Sequence, residues 1–381
     1  MNRIDKQTFF NIIINDKVSK QSLLIQLILL SLIIISLSAG KLANAAAPTP
    51  PPVICLDNNC IETKIIEEQQ RRFNPGNYLL LYYTKDGSTL FEAIDKIKDN
   101  PDFVGVQKMY QWRHLEPTKG NYDFSQIQTD LDYVRSIGKQ LVVQFMVMGP
   151  QSQLIVPKYI LNDPEYDGGV LPHKNNTSPP TKWVAKRWNM EIQDRLGALY
   201  DAMAAKFDDD PNFEAINTQE TAGTVHCNGD LKDPTYSATA LVSALKYGNT
   251  RLVAAFKKTR VFRYMNFIPC GRLDHLKDLA KDSIDKGIGF GGPDLEPADE
   301  SLTSGPYSFY PEFASGILAQ SVQYPNWDEK WPNGSNVTAE EILLYGANNL
   351  KLKYIFWMIR QPHFDSFVVP AVAKHRNIFT N

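Results

Sequence analysis

The sequence has few histidines and cysteines, and it lacks the glycine-rich loop that binds phosphate groups in many nucleotide-binding proteins. It contains six histidines and four cysteines, and neither type is clustered at metal-ligand spacing. A zinc or non-haem iron centre needs several such ligands together. No glycine-rich loop ending in Lys-Ser or Lys-Thr is present to bind a phosphate group. We therefore expect no metal and no cofactor.

A strong excess of charge of either sign is also missing. The chain has 40 Lys and Arg against 42 Asp and Glu, a net charge of −2, although the segment Met1 to Ala45 carries +3. Without that segment the net charge would be −5. This mild acidity argues against nucleic acid as a partner, because the phosphate backbone attracts basic surfaces.

One apolar run stands apart from the rest of the chain. The run from Leu23 to Ala39 follows two lysines and precedes the small-residue stretch "ANA". This order is typical of a secretory signal, so we predict a signal peptide over residues 1–45 and a secreted or periplasmic protein. The alternative is an uncleaved membrane anchor, because about 17 residues is the lower limit for crossing a bilayer. We expect a membrane partner only in that case.

The proline-rich stretch "AAPTPPP" predicts an extended linker over residues 46–53, since proline cannot continue a helix or supply ladder donors. A folded domain over residues 54–381 then follows. Its length is within the range of an α/β barrel that forms one domain.

Four cysteines in an exported chain predict two disulfide bonds. Local pairing favours Cys55 with Cys60 and Cys227 with Cys270. A free thiol at one of them is the alternative.

Short runs rich in β-forming residues alternate with longer amphipathic segments, which indicates βα units around a parallel sheet. Segments such as "FSQIQTDLDYVRSIG" carry apolar residues at helical spacing. We predict a (β/α)8 TIM barrel. The eight runs are Tyr78 to Tyr83, Phe103 to Tyr110, Leu141 to Met146, Phe213 to Gln219, Val261 to Phe267, Ile288 to Phe290, Ile317 to Tyr324 and Tyr354 to Ile359.

The carboxyl ends of barrel strands meet at one face, so residues that end different runs lie near each other. The runs deliver amides, carboxylates and indoles to this face. Sugars need this mixture, because polar planar groups bind hydroxyls and aromatic faces stack on pyranose rings. The residues are Trp112, Arg113, His114, Glu116, Gln144, Gln219, Glu220, Asn266, Asp294, Glu296, Gln320, Gln323, Trp357 and Arg360.

The stretch "QWRHLEPTKGNYDF", residues 111 to 124, resembles the second-strand signature of the large clan of retaining TIM-barrel glycoside hydrolases. The resemblance continues at "WNMEIQDRLGALYDAMAAKFDDDPNFEAINTQET" and at "YIFWMIR", and covers most of residues 76 to 360. It implies that Glu220, which follows Gln219, is the general acid/base. It also implies that Trp357 stacks on sugar.

The chain departs from this family at the seventh strand, where the family has its nucleophilic glutamate. The stretch "GILAQSVQYPNW" offers only Gln320 and Gln323. Either the strand count is shifted, another carboxylate acts, or the barrel has lost hydrolysis. Asp294 in "IGFGGPDLEP" is our candidate for the second catalytic carboxylate, and a loop-stabilising role is its alternative. We expect Glu296 to be a surface-loop residue.

We predict substrate binding by a set of polar and aromatic strand-end residues. Trp112 has a core position as its alternative, and His114 a structural one. We expect Glu116 to be structural. The predicted function is a glycoside hydrolase, and the alternative is a non-catalytic carbohydrate-binding barrel. The predicted binding residues are Trp112, Arg113, His114, Gln144, Gln219, Asn266, Gln323 and Trp357.

Overall fold

The structure is a computed structural model that describes residues 71–82, 89, 91–149, 155–172, 183–223, 225–229, 232–323 and 329–379. The predicted signal peptide, the linker and the Cys55–Cys60 pair lie outside the described residues. Within the described ranges, every helix is too short or too polar to cross a membrane.

Eleven strands are described, and eight of them close into a parallel barrel. Around the ring the order is β1-β2-β3-β7-β8-β9-β10-β11, so each barrel strand neighbours the barrel strand before it in the chain. All eight predicted runs overlap these strands, which confirms the (β/α)8 TIM barrel. In chain order the strands are β1 Gly76–Leu81, β2 Phe103–Gln111, β3 Gln140–Met146, β4 Met148–Gly149, β5 Val170–Pro172, β6 Trp183–Ala185, β7 Phe213–Thr218, β8 Arg260–Tyr264, β9 Gly289–Gly292, β10 Leu318–Val322 and β11 Tyr354–Met358.

Helices cover the outside of the barrel between consecutive strands. Helix α5 begins at Asn189, whose side chain accepts a hydrogen bond from the Ile192 amide. Helix α3 ends before Gly138, whose φ of +67° lies in the left-handed region that favours glycine. The helices are α1 Phe91–Asp95, α2 Trp112–Leu115, α3 Ser125–Ser136, α4 Lys158–Asn162, α5 Met190–Phe207, α6 Ala238–Ala255, α7 Leu273–Asp285, α8 Glu300–Thr303, α9 Ala339–Asn348 and α10 Val369–Lys374, with 3₁₀ turns at Pro164–Tyr166 and Pro306–Phe313 and a π turn at Phe364–Val368.

Side chains of the barrel strands alternate between the inside of the barrel and the helix layer. Tyr78, Phe262 and Phe356 belong to the inner apolar cluster, whereas the outer cluster packs against the helices. The strands are therefore buried on both faces, which is typical of parallel sheets. The wall is tightest at Gly291, where a Cβ would lie 1.4 Å from the carbonyl oxygen of Ala319.

The described parts of the segment after β3 contain three further short strands. Strands β4, β5 and β6 form a small antiparallel sheet in the order β4-β6-β5. Met148 pairs with Val184, and Val170 pairs with Ala185. This sheet follows the carboxyl end of a barrel strand, so it contributes a wall to that face of the barrel.

Lys108 of β2 and Asp130 of α3 form a buried ion pair behind the barrel wall. The Nζ–Oδ2 distance is 2.7 Å, and the two side chains are 2% and 1% exposed. Tyr110 donates its hydroxyl proton to the same carboxylate at 2.5 Å. Burial first, and then the Asp130 charge, raise the pKa of Tyr110 well above its usual value, so the phenol remains a donor. The network ties the strand to its covering helix.

We expect Lys108→Met to lower the free energy of unfolding by about 3–5 kcal/mol, because the Asp130 charge would remain buried without its cation. Urea unfolding followed by circular dichroism measures this change. The matched control is the double variant Lys108→Met/Asp130→Leu, which removes both charges and should recover most of the loss. A single variant as stable as the wild type would show that the pair does not hold the helix.

The structure confirms the predicted disulfide bond between Cys227 and Cys270, whose Cα atoms are 5.4 Å apart. Cys227 lies in the segment after β7, and Cys270 lies in the segment after β8. These two strands are neighbours in the barrel. The bond therefore joins two adjacent segments at the carboxyl end of the barrel.

Replacing both cysteines, as Cys227→Ser/Cys270→Ser, should destabilise the protein. The sequence separation of 43 residues corresponds to about 4 kcal/mol of loop-closure entropy in the unfolded chain. Differential scanning calorimetry of the oxidised wild type and the double variant measures the loss. Equal melting temperatures, or two titratable thiols in the native wild type, would contradict this expectation.

Candidate active site

A cleft of about 300 Å³ lies at the carboxyl ends of the barrel strands. Its walls come from the ends of strands on opposite sides of the ring and from the small sheet after β3. Among the described residues, Glu220 is the acidic group that lines it. The lining residues are Tyr82, Met109, Gln144, Met146, Met148, Gly149, Gln219, Glu220, Ala222, Pro293 and Gln323.

Glu220 is held in place through its own backbone. It follows β7, and Arg187 donates from Nη1 to the Glu220 carbonyl at 2.5 Å and from Nη2 to the Thr221 carbonyl at 3.1 Å. The carboxylate accepts from Nδ2 of Asn266 at 3.1 Å. Asn266 also accepts from the Ala222 amide at 3.1 Å, which fixes the orientation of its amide group. Glu220 therefore has a defined position on the cleft wall.

The two glutamates of this segment have opposite environments. Glu214, at the start of β7, accepts from the Asn74 amide at 2.9 Å, from Asn74 Nδ2 at 2.7 Å and from the Tyr354 hydroxyl at 2.7 Å. Glu220 accepts from Asn266 alone among the described side chains. Burial first, and then repulsion by Asp294, raise the pKa of Glu220 to about 8, while Arg187 and Asn266 oppose the rise. Glu220 is therefore mainly protonated at neutral pH.

Asp294 is the second carboxylate of this face. It follows β9, where it bridges to Val322 of β10, and its carbonyl accepts a hydrogen bond from the Tyr307 hydroxyl. Burial raises the pKa of its carboxyl to about 6, whereas hydrogen bonding to Asn266 opposes the rise. Asn266 thus interacts with both acids. The structure brings Glu220 and Asp294 close enough for the charge of one to change the pKa of the other.

Further acidic side chains lie beyond Asp294. Burial, and then repulsion by Asp294, Glu329 and Asp299, raise the pKa of Glu296 to about 7. Burial likewise raises the pKa of Glu329 to about 7. The prediction that Glu296 is a surface-loop residue misses this half-buried position. Glu329 was not predicted at all, because it lies in a segment without any recognisable pattern.

The seventh barrel strand is β10, so the strand count is not shifted. Gln320 points away from the barrel interior, and its Nε2 donates to the Tyr310 hydroxyl at 2.5 Å. Gln323 lies on the cleft wall and accepts a hydrogen bond from Tyr82. From Leu318 to Gln323 the strand and its end carry no carboxylate. The family nucleophile is therefore absent from this stretch.

Gln219 and Gln144, two of the amides predicted to bind substrate, differ in how many of their hydrogen-bonding atoms remain free for a ligand. Gln219 is largely engaged, since its Oε1 accepts from the amides of Val147 and Met148 at 2.7 Å and its Nε2 donates to the Met148 carbonyl at 2.8 Å. It anchors the small sheet and keeps one Nε2 hydrogen for a ligand in the cleft that it lines. Gln144 lines the cleft, and its Oε1 has no partner among the described atoms. Gln144 therefore remains a candidate ligand-binding residue.

The predicted sugar contacts of the two tryptophans are wrong, and the alternative core position of Trp112 is confirmed. Trp112 is 0% exposed, and its indole N–H donates to Glu116 at 2.9 Å. Trp357 is 1% exposed, and its N–H donates to Asn77 at 2.8 Å. Both rings face the helix layer, so neither offers a face to a sugar. Among the described residues, the aromatic ring on the cleft wall is Tyr82, which the prediction did not single out.

Arg113 and His114 line a neighbouring cleft of about 310 Å³ rather than the one that contains Glu220. Arg113 donates from Nε to Nε2 of His114 at 3.1 Å. Met109 lines both clefts, so the two are adjacent. Glu116 is structural as predicted, because it is 0% exposed and pairs with Arg195.

The sequence analysis did not identify most of the apolar residues that line the cleft, nor Arg187, the cation behind Glu220. Three methionines, Met109, Met146 and Met148, line the cleft, but methionine in a strand is indistinguishable from a core residue. Arg187 lies in a segment that carries no motif. Among the described residues, no three His, Cys, Asp or Glu side chains are grouped as metal ligands.

No protein-family model and no curated protein match the sequence. Among solved structures, a β-galactosidase from the psychrophilic Marinomonas ef1 is similar, with a TM-score of 0.49 and 11% identity over 79% of this chain. The chain spans 59% of that enzyme. Endo-glycoceramidase II from Rhodococcus sp. gives a TM-score of 0.47 and 12% identity over 78% of each chain. Both are glycoside hydrolases, but similarities this low carry no inference about chemistry.

We expect Glu220→Gln to stabilise the protein at alkaline pH. The pKa of Glu220 is raised from 4.5 to about 8 in the folded protein. Between these values the folded state keeps a proton that the unfolded state releases, so the Glu220 contribution to stability falls as pH rises through this window. The gain in melting temperature over the wild type should be larger at about pH 9 than at about pH 5.

The control for this comparison is Glu92→Gln, at an exposed position of α1. It should change the melting temperature by the same small amount at both pH values. A Glu220→Gln variant that behaves in the same way would show that the Glu220 carboxyl is ionised in the native protein at neutral pH.

Proposed function

We propose that the chain is a glycoside hydrolase that cleaves O-glycosidic bonds of an oligosaccharide or polysaccharide. Glu220 is the general acid, and Asp294 is the partner carboxylate. One observation carries the proposal: two carboxyl groups with pKa values of about 8 and about 6 interact with the same asparagine beside one cleft. Paired acids with separated pKa values are what the reaction requires.

The two pKa values assign the roles. Near neutral pH, Glu220 is mainly protonated and Asp294 is mainly ionised. The bond between the anomeric carbon and the leaving oxygen breaks, and that oxygen takes the proton from Glu220. Asp294 then acts in one of two ways: it bonds to the anomeric carbon to give a glycosyl ester that water hydrolyses, or it removes a proton from the attacking water.

The separation between the reacting carboxyl oxygens decides between these routes. About 5–5.5 Å suits a covalent retaining mechanism, and about 6.5–9.5 Å leaves room for an inverting water. Proton NMR of the first product formed reports the anomeric configuration directly. Gln144, Gln323 and Tyr82 are the polar groups of the cleft wall that we assign to sugar hydroxyls.

A second candidate function is a carbohydrate-binding barrel without hydrolysis. Its support is the seventh strand, which offers Gln320 and Gln323 where the resembled family has its nucleophile. In that case Glu220→Gln would leave sugar binding unchanged, and neither protein would turn over any glycoside. Isothermal calorimetry with oligosaccharides that bind the wild type, together with a turnover assay on the same oligosaccharides, separates the two functions.

Glu220→Gln should lower turnover of an alkyl glycoside by about 100-fold to 10,000-fold, because the leaving oxygen then departs without a proton. For a dinitrophenyl glycoside, whose leaving group needs no protonation, kcat/KM of the variant should stay close to that of the wild type. On the retaining route kcat still falls, because Glu220 also activates the water that hydrolyses the glycosyl ester. Asp294→Asn should instead reduce both activities. The chain without residues 1–45 is first screened on polysaccharides and aryl glycosides to find a substrate.

The wild-type activity should follow a bell-shaped pH profile. Asp294 must be ionised and Glu220 protonated, so the rate rises through about pH 6 and falls through about pH 8. Asp294→Asn leaves too little activity to profile, so Glu92→Gln is the control and should keep both limbs. If no glycoside in the panel is cleaved by the wild type at any pH, the hydrolase proposal fails.

We also infer that the chain is a secreted or periplasmic protein, with a signal peptide over residues 1–45, a linker over 46–53 and a catalytic domain over 54–381. The apolar run from Leu23 to Ala39 supports this. The Cys227–Cys270 disulfide also supports it, because such bonds persist in oxidising compartments. Fusion of residues 1–45 to a reporter enzyme, followed by cell fractionation, tests export.

A further inference from the structure

A small cavity lies behind the candidate active site, between the barrel wall and helices α5 and α6. Its volume is about 10 Å³, which holds one water-sized particle. Two arginines, Arg187 and Arg263, both line it. Each is only 4% exposed. Two positive charges therefore share one buried space.

The described surroundings do not neutralise these charges. Neither guanidinium forms a salt bridge with a described carboxylate. The carboxylate whose charge acts on Arg263 is Asp282, which forms an ion pair with Lys286 instead. Asn249 lies between them: Arg263 Nε donates to Asn249 Oδ1 at 2.7 Å, and Asn249 Nδ2 donates to Asp282 at 2.8 Å. The carboxyl group whose charge acts on Arg187 is Glu220, which is mainly protonated near neutral pH.

The phenols that face the pair do not supply negative charge either. Burial raises the pKa of Tyr200 and of Tyr236 to about 12, so both are neutral. Burial, and then the charge of Arg263, lower the pKa of Arg187 to about 10. Burial also lowers the pKa of Arg263 to about 10. Both arginines therefore stay charged at neutral pH, and buried charge is costly unless it is paired.

The hydroxyl group of Thr218, which also lines this cavity, is a second indication of a bound ligand. Thr218 of β7 lines the cavity and is 4% exposed, and its Oγ1 has no hydrogen-bond partner among the described atoms. Buried hydroxyls almost always have one. A particle that accepts hydrogen bonds from guanidinium and hydroxyl groups would satisfy all three side chains at once.

We propose that this cavity binds one small monovalent anion of the chloride class, held by Arg187, Arg263 and Thr218. The narrow space favours a small anion over the larger sulfate and phosphate. The site stands independently of the hydrolase proposal. One consequence rests on that proposal: the anion would offset the positive charge of Arg187, which holds the carbonyls of Glu220 and Thr221, and would keep Glu220 protonated to higher pH.

Bromide provides a direct test. Crystals of the full domain soaked in sodium bromide should show an anomalous difference peak in contact with both guanidinium groups. Melting temperature should rise saturably with chloride or bromide, by about 4 °C at 100 times the dissociation constant. Sodium gluconate at the same ionic strength, whose anion is too large to enter, should give no such rise.

Two variants test the assigned residues. Arg263→Met should abolish the chloride-specific rise, and the isosteric Thr218→Val should fold normally and raise the half-saturating chloride concentration several-fold. Arg135→Met, at an exposed arginine of α3, is the control for general salt effects and should respond like the wild type.

The proposal is overturned if bromide binds only at the surface, with a neutral water behind β7. It is also overturned if chloride and gluconate stabilise the wild type equally. Because these readouts measure binding and not turnover, they are valid whether or not the chain hydrolyses any glycoside. An anion that binds without shifting the alkaline limb of an observed activity profile would remove only the link to Glu220.

Discussion

The carboxyl group of Glu220 is partly buried in the cleft wall and has a single side-chain donor among the described residues, Nδ2 of Asn266 at 3.1 Å. A carboxylate in that position is poorly solvated, so the neutral acid is favoured. A second acid nearby, Asp294, increases the effect. The pairing of a protonated and an ionised carboxyl at neutral pH follows from this one deficit in solvation, and the proposed chemistry depends on it.

The barrel supplies this environment by fixing the backbone rather than the carboxyl itself. Arg187 binds the carbonyls of Glu220 and Thr221 from behind the wall. Gln219 lines the cleft, but its side-chain oxygen accepts hydrogen bonds from the backbone amides of Val147 and Met148. The backbone at the end of β7 is therefore held in place, while the carboxyl group of Glu220 has few hydrogen-bond partners. Groups that are poorly stabilised in this way are common at reactive sites.

The position of the second carboxylate explains how a barrel without the seventh-strand glutamate could still hold an acid pair. The sixth barrel strand, β9, is short and rich in glycine, and Gly291 lets it approach β10 closely. Asp294 follows it and bridges to Val322. Asp294 therefore interacts with the same asparagine as Glu220, although β9 and β7 are separated in the ring by β8.

The sequence by itself determined the eight strands, the Cys227–Cys270 bond and the place of Glu220 at a strand end, because periodicity, spacing and turn residues are local properties. It could not determine which side chains face inward. Parallel strands are apolar on both faces, so the sequence does not reveal that Trp357 faces the helices while Phe356 faces the interior. Only the tertiary structure decided which amides are engaged, which acids meet and where Arg187 and Arg263 come together, since these depend on contacts between residues far apart in the chain.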